Sequence, residues 1–269
     1  MPRGDPAYLT APAARPVVAR ILAHVVAGGV VLGESVGVHG ALSALKAEPS
    51  PLSEAATVAL ATGMALAGKR VVVEVVDPHG LRRAGDALAD LAGLAGRSAG
   101  AFAPTVIVRA PGGTDVRGVD VPVYVSGREA DAADQLDQAL AHGGVCVLVD
   151  DCGPDAPVAG EGAALGDPVR LRDGDAVAVF ASGCDLAAAL AGAEKAAADG
   201  VEAGVVEVRG NGSLAAEAGR AGRLVFVGDG PWISALAAVF WKLETPWTTL
   251  PRGATATEIS NAITLVAGD

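Results

Sequence analysis

Apolar residues fall along this chain in two rhythms. Short unbroken runs such as "VVL" (Val30 to Leu32), "VVV" within Lys69 to Asp77, "VIV" within Pro104 to Gly113 and "VCVLV" (Val145 to Val149) have the length and β-branched content of strands buried on both faces. Between them lie stretches of helical period: the apolar segment after Ser50, "LRRAGDALADLAGLAG" and "ADAADQLDQALAHGG". Strand, helix and strand in alternation predict a parallel sheet with helices on its faces. The pattern begins again after a Gly- and Pro-rich, aperiodic stretch. "VRLRDGDAVAVFASG" reads as a strand, an Asp173-Gly174 turn and a buried strand, followed by a helix closed by Gly200 and a strand in "VEAGVVEVRG". A helix at 214–221, the strand "RLVFVGDG", a helix at 233–243, a short strand at 247–250 and a last helix from Ala256 complete it. The predicted organisation is an N-terminal arm (1–16), an α/β domain (17–152), a linker (153–168) and a second α/β domain (169–269). Val17 to Val26 also has helical spacing.

The composition narrows what this architecture does. Half of the 269 residues are apolar but only 3% are aromatic, so Ala, Val, Leu and Gly build the core by close backbone packing. A net charge of −11 with scattered basic residues excludes nucleic acid and anionic membrane as expected partners. Three cysteines, Cys146, Cys152 and Cys184, have neither disulfide-framework nor zinc spacing, and Cys146 on an apolar strand is core; a cytoplasmic location follows. The start of the chain has no signal-peptide core, and the most apolar run, Ala55 to Gly68, is shorter than the ~20 residues a bilayer requires. "GGVVLG" and "APGG" are tight turns rather than phosphate loops, and Ser182 has no context for a catalytic triad.

One acid stands out in "SPLSEAATVALATGMALAGKRVVVEVV": Glu54, with no other charge until Lys69. Ser53 is a plausible N-cap, and the helix dipole favours an acid in the first turn by about 0.3–1 kcal/mol, so a structural role explains its position. The rest of the helix argues for more. Val58, Ala61 and Ala65 share its face and only Thr57 and Thr62 are polar, which predicts a helix buried on all sides. A carboxylate at its head would be desolvated, its proton affinity raised, and it would need a partner with which to share a proton.

Four blocks, "VVLGESVGVHGA", "SPLSEAATVALATGMALAGKRVVVEV", "GRSAGAFAPTVIVRAPGG" and "VRLRDGDAVAVFASG", resemble in order and style the beta subunit of thiamine diphosphate-dependent 2-oxo acid dehydrogenases, in the transketolase-like superfamily. The resemblance implies a pyrimidine-binding domain followed by a transketolase C-terminal domain. In that family the glutamate of a P-[LI]-S-E block hydrogen-bonds N1′ of the cofactor's aminopyrimidine, and Glu54 matches it, with Leu52 and Ser53 beside it and Glu34 in "LGESVG" matching an acid near the cofactor or the interface. It further implies that Glu54 promotes loss of the thiazolium C2 proton. Thiamine diphosphate would be shared with an alpha-type partner in an α2β2 assembly, the partner holding the diphosphate and Mg2+, and this chain would be inactive alone. A lipoyl or acyl carrier protein would receive the acyl unit.

The chain departs from that pattern in two places. After "VVEV" the family has an aromatic-rich segment whose ring packs on the aminopyrimidine, and here "DPHGLRRAGD" has no ring; His79 is either a polar substitute or a solvated turn residue. The family's "G-G-x-x-H-S-Q" histidine is also missing from "GGTDVRGVDVPVYVSG". Gly228-Asp229-Gly230 and Asn261 imitate a diphosphate domain's metal-binding signature, but Asn261 falls inside the predicted last helix, so no metal ligand is assigned. The expectation is a subunit that decarboxylates a 2-oxo acid and transfers its acyl or hydroxyalkyl unit, as in a specialised biosynthetic pathway. The alternatives are a degenerate assembly subunit of the same fold, a two-subunit transketolase-like transferase, or a binding module reusing the cleft for another ligand.

Overall fold

The computed structural model describes residues 16–37, 42, 50, 53–116, 118–151, 163–210, 214–228 and 245–268. Leu52, Cys152, Asp229, Gly230, the helix expected at 233–243 and most of the arm and linker lie outside these residues. The chain divides into two compact units, one of residues 1–123 with 129–150, the other of 124–128 with 151–269.

The first unit carries a five-stranded sheet in the order β1-β2-β3-β5-β4, with β1 at Val30–Leu32, β2 at Arg70–Glu74, β3 at Thr105–Pro111, β4 at Val123–Ser126 and β5 at Val145–Asp150. The β1–β2, β2–β3 and β3–β5 ladders are parallel, with Val71 opposite both Val30 and Val106, and Val106 opposite Val145. Val71 to Val73 and Val106 to Val108 are buried, as unbroken apolar runs require when helices cover both faces of a sheet. The hydrophobic pattern does not predict β4, a four-residue strand of mixed burial just after Pro122, of which residues 124–126 group with the second unit.

Helix α1 (Pro16–Val26) packs on α5 (Glu129–His142), with Arg20 and Asp137 paired at 2.9 Å. Helix α2 (Glu54–Leu66) packs on β2 and against α4 (Gly85–Arg97), which follows the single turn α3 (Gly80–Arg83). Ser53 caps α2 by accepting from the amide of Ala56 at 3.3 Å. A Schellman arrangement ends it: Gly68 takes φ +81°, its amide donates to Ala65, and the Lys69 amide donates to Met64.

The expectation that α2 is buried all round is corrected here. Thr57, Val58, Ala61 and Ala65 are buried, whereas Ala56, Ala59, Leu60, Gly63 and Leu66 are exposed, with Leu60 and Leu66 41% and 42% accessible. An all-apolar helix has no polar face to mark which side meets water, and among the described residues nothing covers the outer one.

The second unit's sheet runs β10-β9-β7-β8-β6, with β6 at Val169–Arg172, β7 at Val177–Ala181, β8 at Ala203–Glu207, β9 at Leu224–Val227 and β10 at Trp247–Leu250. All ladders are parallel except β6–β8. The turn read at Asp173-Gly174 therefore does not pair β6 with β7. The chain instead passes beneath the start of β8, where a Cβ on Gly174 would lie 2.3 Å from the carbonyl carbon of Ala203.

Side chains alternate across β7. Val177, Val179 and Ala181 face a cluster with α6 (Leu186–Ala198) and α8 (Ala256–Gly268), while Ala178 and Phe180 face α7 (Ala215–Ala221). Small residues let α6 and α8 meet closely: a Cβ on Gly192 would lie 2.7 Å from Ile259 Cγ2. Phe180 and Phe226 stack with centroids 5.3 Å apart. Aromatic side chains are divided unevenly between the units, since residues 1–123 and 129–150 contain only Tyr8 and Phe102.

Candidate active site

In a parallel sheet, strand carboxyl ends and helix amino ends meet on one edge, and ligands bind there. In the first unit β1 leaves the sheet at Gly33-Glu34, β2 at Glu74-Val75-Val76, and α2 enters at Glu54. Gly33 lets these segments touch, because a Cβ there would lie 2.7 Å from the carbonyl oxygen of Glu74. The result is a small cleft lined by Glu34, Ser53, Glu54, Thr57, Val73, Glu74, Val75 and Val76. Its empty space, open mouth included, is about 260 Å³, and the centre of a water-sized sphere can occupy about 10 Å³ of it, room for roughly one water. Thr57 braces the wall by donating to Ser53 O at 3.0 Å and Ser50 Oγ at 3.1 Å.

Glu54 is held by an arginine at the mouth of the cleft. Arg83 donates to both its oxygens, Nε to Oε2 at 3.0 Å and Nη2 to Oε1 at 2.5 Å, and Nη2 also reaches Asp77 Oδ2 at 2.6 Å. The Glu54 side chain is 16% exposed and that of Arg83 54%, so the guanidinium approaches from the solvent side. Gly80 makes room for the pair, since a Cβ there would lie 2.5 Å from Glu54 Oε1. The expected rise in the proton affinity of Glu54 is therefore reversed. Hydrogen bonding from Arg83 outweighs desolvation and holds the carboxyl below its usual range. Asp77 is likewise lowered, first by the His79 amide, which donates to it at 3.0 Å, and then by Arg83.

Of the residues expected from the sequence, Glu34, Ser53 and Glu54 come together in the cleft. His79 does not line it. Its exposed side chain stands at the amino end of α3 and caps nothing. No aromatic side chain lines the cleft among the described residues, and Asn261 lies exposed within α8. No group of three acidic, histidine or cysteine side chains is placed to hold a metal, and no helix is long and apolar enough to cross a membrane, among the described residues.

Two features were not anticipated. Arg83 is one. The other is a charged line across the strand ends: Glu74 on β2, Arg109 on β3 and Asp150 on β5 are each 6% accessible or less, with Arg109 paired to Glu74 at 2.5 Å and to Asp150. The signal was present in "VVVEV", "VIVRA" and "VLVDD", three valine-rich runs that each meet a charge toward the strand end. Because Glu74 also lines the cleft, this line anchors its inner wall.

No protein-family profile matches the sequence, and no curated protein matches it either. Solved structures do resemble it. A split-gene transketolase described as an inactive beta4 tetramer superposes with a TM-score of 0.67 at 16% identity, over 94% of this chain and 97% of that one. The 2-oxoglutarate:ferredoxin oxidoreductase from Magnetococcus marinus, with 2-oxoglutarate, coenzyme A and succinyl-CoA bound, gives 0.65 at 12% identity over 94% of this chain and 64% of its own. A transketolase variant from Pichia stipitis gives 0.54 at 13% identity, over 79% of this chain and 34% of that chain. At these identities the likeness defines the fold: two transketolase-like α/β units, each built on a mostly parallel five-stranded sheet.

Proposed function

We propose that this chain is the beta-type subunit of a two-chain thiamine diphosphate enzyme, with Glu54 as the carboxylate that receives N1′ of the cofactor's aminopyrimidine. One observation carries the reading: the carboxylate at the head of α2 opens into a cleft at the carboxyl ends of β1 and β2, beside Glu34 and the apolar Val73 and Val75. The residues fit the group in kind, an acid for a ring N–H and aliphatic walls for the ring. Room for roughly one water does not house such a ring, so the remaining cover comes from a partner chain, which also holds the diphosphate and Mg2+. Thiamine diphosphate, when bound, supplies the electron sink for decarboxylating a 2-oxo acid and passing on its acyl or hydroxyalkyl unit. The contribution of this chain is to share a proton with the ring through Glu54, to exclude water with Val73 and Val75, and to hold Glu74 in the wall through Arg109. The structural neighbours, a transketolase beta chain and a 2-oxo acid oxidoreductase, support the class without choosing between transferase and oxidoreductase.

A second reading, an assembly subunit without chemistry, is favoured by one observation: Arg83 already satisfies Glu54. Co-expression with a chain carrying a genuine Gly-Asp-Gly…Asn motif, followed by calorimetry with thiamine diphosphate and Mg2+, separates the two. The catalytic reading expects binding by the complex and loss of at least about 100-fold in turnover of 2-oxo acid in Glu54→Gln, the scale of a proton-transfer contribution. Unchanged turnover in that variant, or no cofactor binding by the complex, rejects it.

A further inference from the structure

Any group that uses Glu54 must first deal with Arg83. Both carboxylate oxygens are engaged by its guanidinium, on a side chain only 16% exposed, so no second planar donor reaches that face while the pair stands. The arginine has somewhere else to go. Nη2 already bonds Asp77 at 2.6 Å, more than half of its side chain is in solvent, and its element, α3, is a single turn of four residues. Gly80, at the start of that turn, places no side chain between Glu54 and the mouth. We propose that Arg83 is an exchangeable internal ligand of Glu54: it occupies the carboxylate in the free chain and withdraws to Asp77 when a planar nitrogen base offering an in-plane N–H takes its place. The guanidinium thus defines the ligand class by its own shape, a flat group that presents N–H in its plane. This rests on the cofactor reading only in naming the aminopyrimidine as the physiological member of that class.

The exchange has a cost that sets affinity. A neutral aminopyrimidine must gain a proton, on the ring or on Glu54, to replace a cation that needs none, while Arg83 keeps only one of its two carboxylate partners. The competing pair is half in solvent, so removing it tightens ligand binding by about two- to five-fold, the scale of an exposed ion pair. Higher salt screens the competitor and narrows the difference.

The experiment uses the full chain, with 4-amino-5-hydroxymethyl-2-methylpyrimidine and benzamidine as probes, and follows the Arg83 Nε–H signal by NMR in wild type and affinity in wild type, Arg83→Gln and Arg83→Lys. Exchange predicts that a probe shifts the Nε–H signal and that Arg83→Gln binds it two- to five-fold more tightly, with Arg83→Lys between. If benzamidine moves the signal and the pyrimidine does not, exchange stands, with amidines rather than the aminopyrimidine as the ligands this chain takes by itself. If neither probe moves it, or Arg83→Gln binds no tighter than wild type, exchange is overturned. Thiamine diphosphate binding by the two-chain complex then still judges the cofactor reading.

Discussion

Arg109→Met is the most severe single perturbation the first unit offers. Arg109 sits between Glu74 and Asp150, and the three side chains are 3%, 5% and 1% exposed. Removing the cation takes the guanidinium from between two carboxylates, those of Glu74 and Asp150, that have little access to water. Breaking a buried pair in this way costs about 3–5 kcal/mol, a fifth or more of the 5–15 kcal/mol that holds a typical domain. At roughly 2–4 °C per kcal/mol, the first unit melts about 6–20 °C lower. Scanning calorimetry and urea unfolding followed by far-UV dichroism give the size, and hydrogen exchange on peptides from β2, β3 and β5 gives the place. The triple variant Glu74→Leu, Arg109→Met, Asp150→Leu removes all three charges and recovers stability to within about 1 kcal/mol of wild type, because the penalty lies in the unpaired charge rather than in the missing attraction. A single variant that loses less than about 1 kcal/mol, or a triple variant as unstable as the single, refutes the argument.

Three further outcomes follow from the geometry. Glu54 and Asp77 have depressed folded-state pKa values, so the stability they contribute is complete above the unfolded carboxylate value of about 4 and is lost as pH falls through the lower folded values. Wild type therefore exceeds Arg83→Gln in melting temperature at pH 7, by a few degrees at most, and the gap closes below pH ~4; a gap that widens in acid contradicts the pairing. Phe180→Ala removes a fully buried ring stacked on Phe226 and costs the second unit about 3–5 kcal/mol by urea titration. Burial pushes the Cys146 thiol up to about 12, so peptide mapping after alkylation of the native chain at pH 8 finds Cys146 unmodified, and it becomes labelled only in denaturant.

What the sequence made legible depended on where each residue's partner lay. Runs such as Val71 to Val73 announce buried strands because burial on both faces leaves no room for polar residues. Segments that take their conformation from distant contacts were opaque. β4 is too short and too mixed in burial to show a period. Asp173-Gly174 has hairpin chemistry, yet the partner of β6 is β8, thirty residues on. The position of Glu54 could be inferred from its helix and cap, but not its charge state, because Arg83 is 29 residues away in a segment searched for a ring rather than for a cation. In the same way Glu74, Arg109 and Asp150 each look like a strand terminus, and only the parallel pairing, with Arg109 opposite Glu74 and reaching diagonally past Leu148 to Asp150, makes them one line.

The scarcity of rings in the first unit has an experimental consequence. With only Tyr8 and Phe102 among residues 1–123 and 129–150, and all three tryptophans in the second unit, the first unit itself contributes almost nothing in the near ultraviolet. A heteroaromatic guest settling against Val73 and Val75 would bring its own chromophore into a chiral, otherwise silent setting. Difference dichroism between 260 and 320 nm, roughly the window of such rings, then reads the guest rather than its host.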